Sequence, residues 1–148
     1  MEVFGQEPMV RLSALGGSAA DRLRAMARAG MDTWGQESEI FPLVMEFWAA
    51  SRTPEFEGRF KEAFRQAYAL FRSALGAVIA DGISRGEFSS QVDVKRVAAA
   101  CVGAMDAILL QAWFDPAFQL METTEGFMDV FIGGLAAPAK PSPHPEAG

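Results

Sequence analysis

One cysteine, one histidine and one tyrosine in 148 residues are scarcities that exclude a good deal. A single thiol closes no internal disulfide and fits a reducing compartment. The one imidazole, His144, lies in a proline-rich tail, so the chain lacks the usual general base and the usual zinc or haem ligand. Basic side chains are also outnumbered: 13 Lys and Arg stand against 19 Asp and Glu, for a net charge of −6. Gripping nucleic acid normally requires a basic face. No glycine-rich phosphate loop is present. The opening "MEVFGQEPM" has no basic region followed by an apolar run, so it does not read as a signal peptide. The expected assignments are therefore no catalytic residues, no metal and no cofactor, in a cytoplasmic protein that is not an enzyme.

What is there reads as one all-helical domain. Half the residues are hydrophobic and 22% are charged, a composition that suits a single globular core at this length. No alternating strand pattern and no internal repeat is present. Residues 3–15 read as a first helix, with Gly5 and Pro8 blurring its start. Gly16-Gly17 ends it, and "SAAD" then resembles a capping box with Ser18 as N-cap. The following helix carries Leu23, Met26, Ala27, Gly30, Met31 and Trp34 on one stripe. "FPLVMEFWAAS" is a third helix, apolar nearly all round and broken only by Glu46. Thr53-Pro54 opens the longest element, in which Phe56, Phe60, Phe64 and Tyr68 recur every four residues, followed by Phe71, Leu75, Val78 and Ile79. It closes at Arg85-Gly86, a polar turn covers residues 87–91, and Asp93 caps an alanine-rich helix that runs to Phe114. "DP" at 115–116 stops that helix, and a last amphipathic helix spans residues 120–135. The expected architecture is a single-domain bundle of about six helices, with residues 1–15 as an N-terminal helix or connection, 16–136 as the domain, and 137–148 as a disordered tail.

"VAAACVGAMDAILLQAWF", residues 97–114, has the length of a bilayer span. Asp106 stands near its centre, where a carboxylate costs roughly 2.5–3.5 kcal/mol to insert. Alanine and glycine supply little drive to offset that, so the segment reads as a buried helix, with no membrane partner.

Three stretches in order carry a resemblance: "LVMEFWAASRTPEF", the long helix ending in "AVIADGISRGEFSSQVD", and "AAACVGAMDAILLQAWFDP" followed by a helix closing in "FIGGLAAP". Together they resemble the C-terminal effector-binding and dimerisation domain of TetR-type transcriptional repressors, in the BetI-like branch, over roughly residues 10–137. Members of that family begin with a three-helix head containing a helix-turn-helix, for which residues 1–15 leave no room. The expectation is a fragment or mis-started reading of a longer regulator, or a headless relative. DNA contact is then expected only through a head absent from this chain.

Two faces follow. Ala100, Gly103, Ala104, Ala107 and Gln111 make a column of mostly small side chains that permits close approach by a second helix. With Thr124, Phe127, Met128 and Phe131 on the last helix it is the expected homodimer interface, the pair of helices the resemblance implies. The other side of the alanine-rich helix carries Cys101 and Met105. Facing Phe60, Phe64, Tyr68 and Phe71, with Met26, Phe41, Met45 and Trp48 nearby, these are the expected lining of a pocket for a small apolar or amphipathic effector. Plain core packing explains methionines and aromatics at helical spacing equally well. Tyr68 and Gln111 are candidate polar contacts, and Glu46 and Asp106 are carboxylates inside apolar runs. A stand-alone small-molecule carrier, or a headless module pairing with a related regulator, are the alternative functions.

Overall fold

Ser18 starts the first helix by exchanging hydrogen bonds with Asp21: its Oγ accepts from the Asp21 N–H at 3.0 Å and its hydroxyl donates to Asp21 Oδ2 at 2.6 Å. The helix it opens, α1 (Ala19–Gln36), is followed by α2 (Pro54–Ser84), α3 (Val94–Phe114) and α4 (Leu120–Leu135). The computed structural model describes residues 16–36, 42, 46 and 54–137. Among these there are four helices and no strand, rather than the six helices expected. The helices expected over residues 3–15 and from Phe41, and the tail from residue 138, lie outside the described residues.

The boundaries obey local chemistry. Gly86 takes φ +73° at the end of α2, a left-handed conformation that an L side chain resists. Asp93 Oδ1 accepts from the Arg96 N–H at 3.2 Å and starts α3. At the other end of α3 the Asp115 N–H bonds the Gln111 carbonyl at 3.0 Å, and Pro116 forbids continuation.

The core lies where all four helices meet. α1 contributes Leu23 and Met26; α2 contributes Leu75, Val78 and Ile79; α3 contributes Ala98, Cys101 and Val102; α4 contributes Met128, Ile132 and Leu135. Burying each of the larger chains stabilises the fold by roughly 1.5–3 kcal/mol. Phe88 joins them at 4% exposure, which corrects the expectation of a merely polar turn over residues 87–91. Its ring lies against Gly82, where a Cβ would stand 2.4 Å from ring carbon Cδ2 and 2.8 Å from the Ala19 Cβ. Glycine at position 82 is what lets α1, α2 and the Phe88 ring meet.

The same end is laced by polar contacts. Arg22 pairs with Asp81. Arg85 donates to the Gly17 carbonyl at 3.0 Å and pairs with Glu87 at 3.1 Å. Glu87 Oε2 in turn accepts the Ala19 N–H at 2.6 Å, placing a carboxylate on the electropositive start of α1. The Ser89 N–H reaches the Leu135 carbonyl at 2.8 Å and the Ala137 N–H reaches the Glu87 carbonyl at 3.2 Å, so the α2–α3 turn is stitched to the end of α4. Farther along, Arg24–Asp129 (3.0 Å) and Arg28–Glu125 (2.8 Å) tie α1 to α4.

Candidate functional site

α2 and α3 run antiparallel, Gly76 standing against Val94 at one level and Tyr68 against Asp106 at another. Gly76 and Val94 meet closely: a Cβ on the glycine would lie 3.4 Å from Val94 Cγ1. Towards the N-terminal end of α2 the contacts become aromatic. The Phe60 and Phe64 centroids are 4.5 Å apart, and those of Phe64 and Tyr68 are 6.2 Å apart, as their four-residue spacing dictates. All three rings are only half-buried. On α3, Trp113 and Phe114 stack edge to face at 4.7 Å and keep 39% and 69% of their surface exposed.

Tyr68 is the polar element of this end. Its hydroxyl donates to Asp106 Oδ2 at 2.7 Å. Burial pushes the phenol up to about 12, helped by the hydrogen bond and the charge of Asp106. Asp106 is exposed as a residue, yet partial loss of water around its carboxylate raises its pKa, against the lowering effect of the Tyr68 bond.

The described part of the expected pocket lining separates into three groups. Met26 and Cys101 lie in the closed core, at 1% and 2% exposure. Phe71, Tyr68 and Met105 are half-buried and pack against that core, while Phe60 and Phe64 lie beyond it. Phe41, Met45 and Trp48 lie outside the described residues. Two cavities stand out among the described residues. One, of about 80 Å³, lies between α1 and α4 beside Arg24, Arg28, Thr124 and Asp129, too small for a typical ligand site of roughly 300–1,000 Å³. The other is an open groove of about 370 Å³ lined by Ala69, Arg72, Ser73, Gly76, Val94 and Lys95. Neither contains an expected lining residue. Among the described residues, no three His, Cys, Asp or Glu side chains come together as a metal ion requires.

The surface of α3 and α4 carries the second feature. Ala100, Gly103, Ala107 and Gln111 are exposed, and Ala104 is half-buried. Leu110 and Phe114 continue that column at the same helical spacing, exposed at 36% and 69%. On α4 the exposed row is Gly126, Val130 and Gly133, with Val130 78% exposed. Phe127 and Phe131 stack at 5.6 Å and are half-buried beside it. Two expected interface residues are corrected here. Thr124, at 0% exposure, and Met128, at 2%, face the core and have no surface to offer a partner. The Thr124 hydroxyl instead donates to its own helix at the Leu120 carbonyl, 2.8 Å away. Leu110, Phe114 and Val130 were the residues that sequence reading missed. Their spacing was visible, but large apolar side chains read by default as interior.

The family model describing the C-terminal domain of BetI-type transcriptional repressors matches residues 19–132, which span all of α1 to α3 and most of α4. The chain belongs to that family. It is a TetR-type regulator C-terminal domain, all-helical throughout the described residues. No curated protein and no solved structure matches it. TetR-family regulators work as dimers that bind small-molecule effectors and DNA. Among the described residues of this BetI-type domain, α3 alone is long and apolar enough to cross a membrane by length and composition. Only 22% of that apolar stretch is buried, with Ala98, Cys101 and Val102 in the four-helix core and Ile108 also buried, which corrects the expectation of a buried helix.

Proposed function

We propose that this domain is the effector-sensing and dimerising half of a cytoplasmic TetR-type repressor, with DNA read by a separate helix-turn-helix head. The observation that carries the reading is a pair of exposed, mostly apolar rows, Gly103, Ala107, Leu110 and Phe114 on α3 and Gly126 and Val130 on α4. An apolar surface of this kind marks an association face. Small residues let two helices approach closely, and Leu110, Phe114 and Val130 provide the area buried. Two copies would meet as a four-helix layer about a two-fold axis. The effector, a small apolar or amphipathic molecule, would seat at the Phe60–Phe64–Tyr68 end, where rings remain half-exposed, and not between the closed core residues Met26 and Cys101. Its binding would shift the dimer between two arrangements and so change the spacing of the DNA-reading heads. The proposal includes no catalytic role.

The test of the dimer is Gly103→Trp. A Cβ at Gly103 meets nothing within 4 Å, so the protomer accepts the indole while a facing helix does not. The expected result is a dimer for the wild type and a monomer of unchanged helicity for the variant, in light scattering coupled to gel filtration. A variant that remains dimeric would move the interface elsewhere. The filled core favours one alternative, a headless module that pairs with a related regulator. A thermal-shift screen separates the two: a saturating effector should raise stability by about 2.7 kcal/mol at a hundredfold excess over Kd, and the pairing module should give no saturable shift.

A further inference from the structure

The effector reading leaves one group unexplained. Asp106 is the one carboxylate in α3, midway along its apolar stretch from Val97 to Leu110, and its hydrogen bond comes from a phenol rather than from a cation. Elsewhere in the described residues the carboxylates that bridge helices do so with arginines: Asp81 with Arg22, Glu125 with Arg28, Asp129 with Arg24. No Lys or Arg among the described residues pairs with Asp106. Only Oδ2 receives the Tyr68 hydroxyl, which holds the carboxylate in place and leaves Oδ1 to accept from elsewhere. Phe64 lies 6.2 Å from the Tyr68 ring, with Phe60 one turn farther. Trp113 stands two turns beyond Asp106 on the same side of α3, about 10 Å along the axis. A fixed carboxylate beside a row of half-exposed aromatic faces is complementary to a cation carrying N–H donors on an apolar body.

We infer that the Tyr68–Asp106 pair is the head-group end of the effector site, and that it selects a protonated primary or secondary amine whose apolar part lies along Phe64 and Phe60. The inference rests on the effector reading above. The ammonium would donate to Asp106 Oδ1 while Tyr68 keeps Oδ2, and the aromatic faces would take the body and part of the charge. A quaternary ammonium has the charge without the N–H and should bind less well. A carboxylate head should be repelled.

The test uses one apolar body with four heads: phenylbutylamine, phenylbutyltrimethylammonium, phenylbutanol and phenylbutanoate. Each is titrated calorimetrically into the full chain and into Asp106→Asn, which keeps the shape and the acceptor for Tyr68. The amine should bind wild type at least about tenfold more tightly than the alcohol, as befits a charged hydrogen bond. The quaternary ion should fall between them, the carboxylate should be weakest, and Asp106→Asn should bring the amine down to the alcohol. Alcohol and amine binding wild type equally would overturn the inference and leave the effector site standing. An amine preference surviving intact in Asp106→Asn would also overturn it, by placing the selecting group elsewhere. No binding by any of the four would overturn the inference together with the effector site as placed here. Melting curves of the unliganded variant confirm that it is folded, and Tyr68→Phe, which releases the carboxylate, should weaken the amine while sparing the alcohol.

Discussion

Replacing Gly82 with alanine is a small change with a sign that depends wholly on the tertiary contacts. In an isolated helix the substitution stabilises by about 1 kcal/mol, because glycine loses the most backbone freedom on ordering. Here the added methyl would stand 2.4 and 2.6 Å from two ring carbons of Phe88 and 2.8 Å from the Ala19 Cβ. Neither neighbour can yield easily: Phe88 is 4% exposed and Ala19 fully buried, and Ala19 is held by the Glu87 carboxylate on its N–H. Overpacking of this kind costs about 1–3 kcal/mol. Set against the propensity gain, the net is a loss of up to about 2 kcal/mol, or a melting temperature lower by up to about 8 °C in a domain of this size. Gly58→Ala is the control, since that glycine is exposed in α2 with nothing within 4 Å of its would-be Cβ; it should raise the melting temperature by a few degrees. In a Phe88→Leu background the Gly82→Ala penalty should shrink, leaving the Ala19 contact as its remainder. Melting followed by circular dichroism reads the wild type and all four variants. A Gly82→Ala protein that melts higher, as Gly58→Ala does, would refute the packing argument.

Tyr68 is the one tyrosine in the chain, so phenolate absorbance reports it directly. With its pKa raised from 10.0 to about 12, its stabilising contribution is complete below pH 10 and fades as pH rises through about 12. Asp106→Asn should bring the phenol midpoint down, though not to the free value, since burial remains; an unchanged midpoint would break the Tyr68–Asp106 assignment. Cys101 is pushed up to about 11 by burial, so a thiol reagent at mildly alkaline pH should label it only in denaturant. Labelling of the native protein at the rate of a free thiol would contradict its place in the core.

Local chemistry was legible from residue types alone because it acts over three or four positions. Ser18 and Asp93 cap the helices that follow them, Gly86 takes the left-handed end of α2, Pro54 and Pro116 stand at helix limits, and the four-residue recurrence from Phe60 to Tyr68 places three rings in one row. The family resemblance rested on the order of such features, and the match over residues 19–132 agrees with it. What periodicity does not encode is which side of an apolar helix meets another helix and which meets solvent. α3 is apolar over most of its circumference, so Cys101 and Leu110 looked alike; only the positions of α1, α2 and α4 send one to the core and leave the other outside. In α4 the same ambiguity placed Thr124 and Met128 on the surface, where packing against α1 instead buries them. Contacts distant in sequence were equally invisible: Glu87 on the start of α1 and Tyr68 on Asp106 join residues 68 and 38 positions apart. Each depends on where whole helices come to rest, and that is set by the summed burial of many side chains, not by any short run of residues.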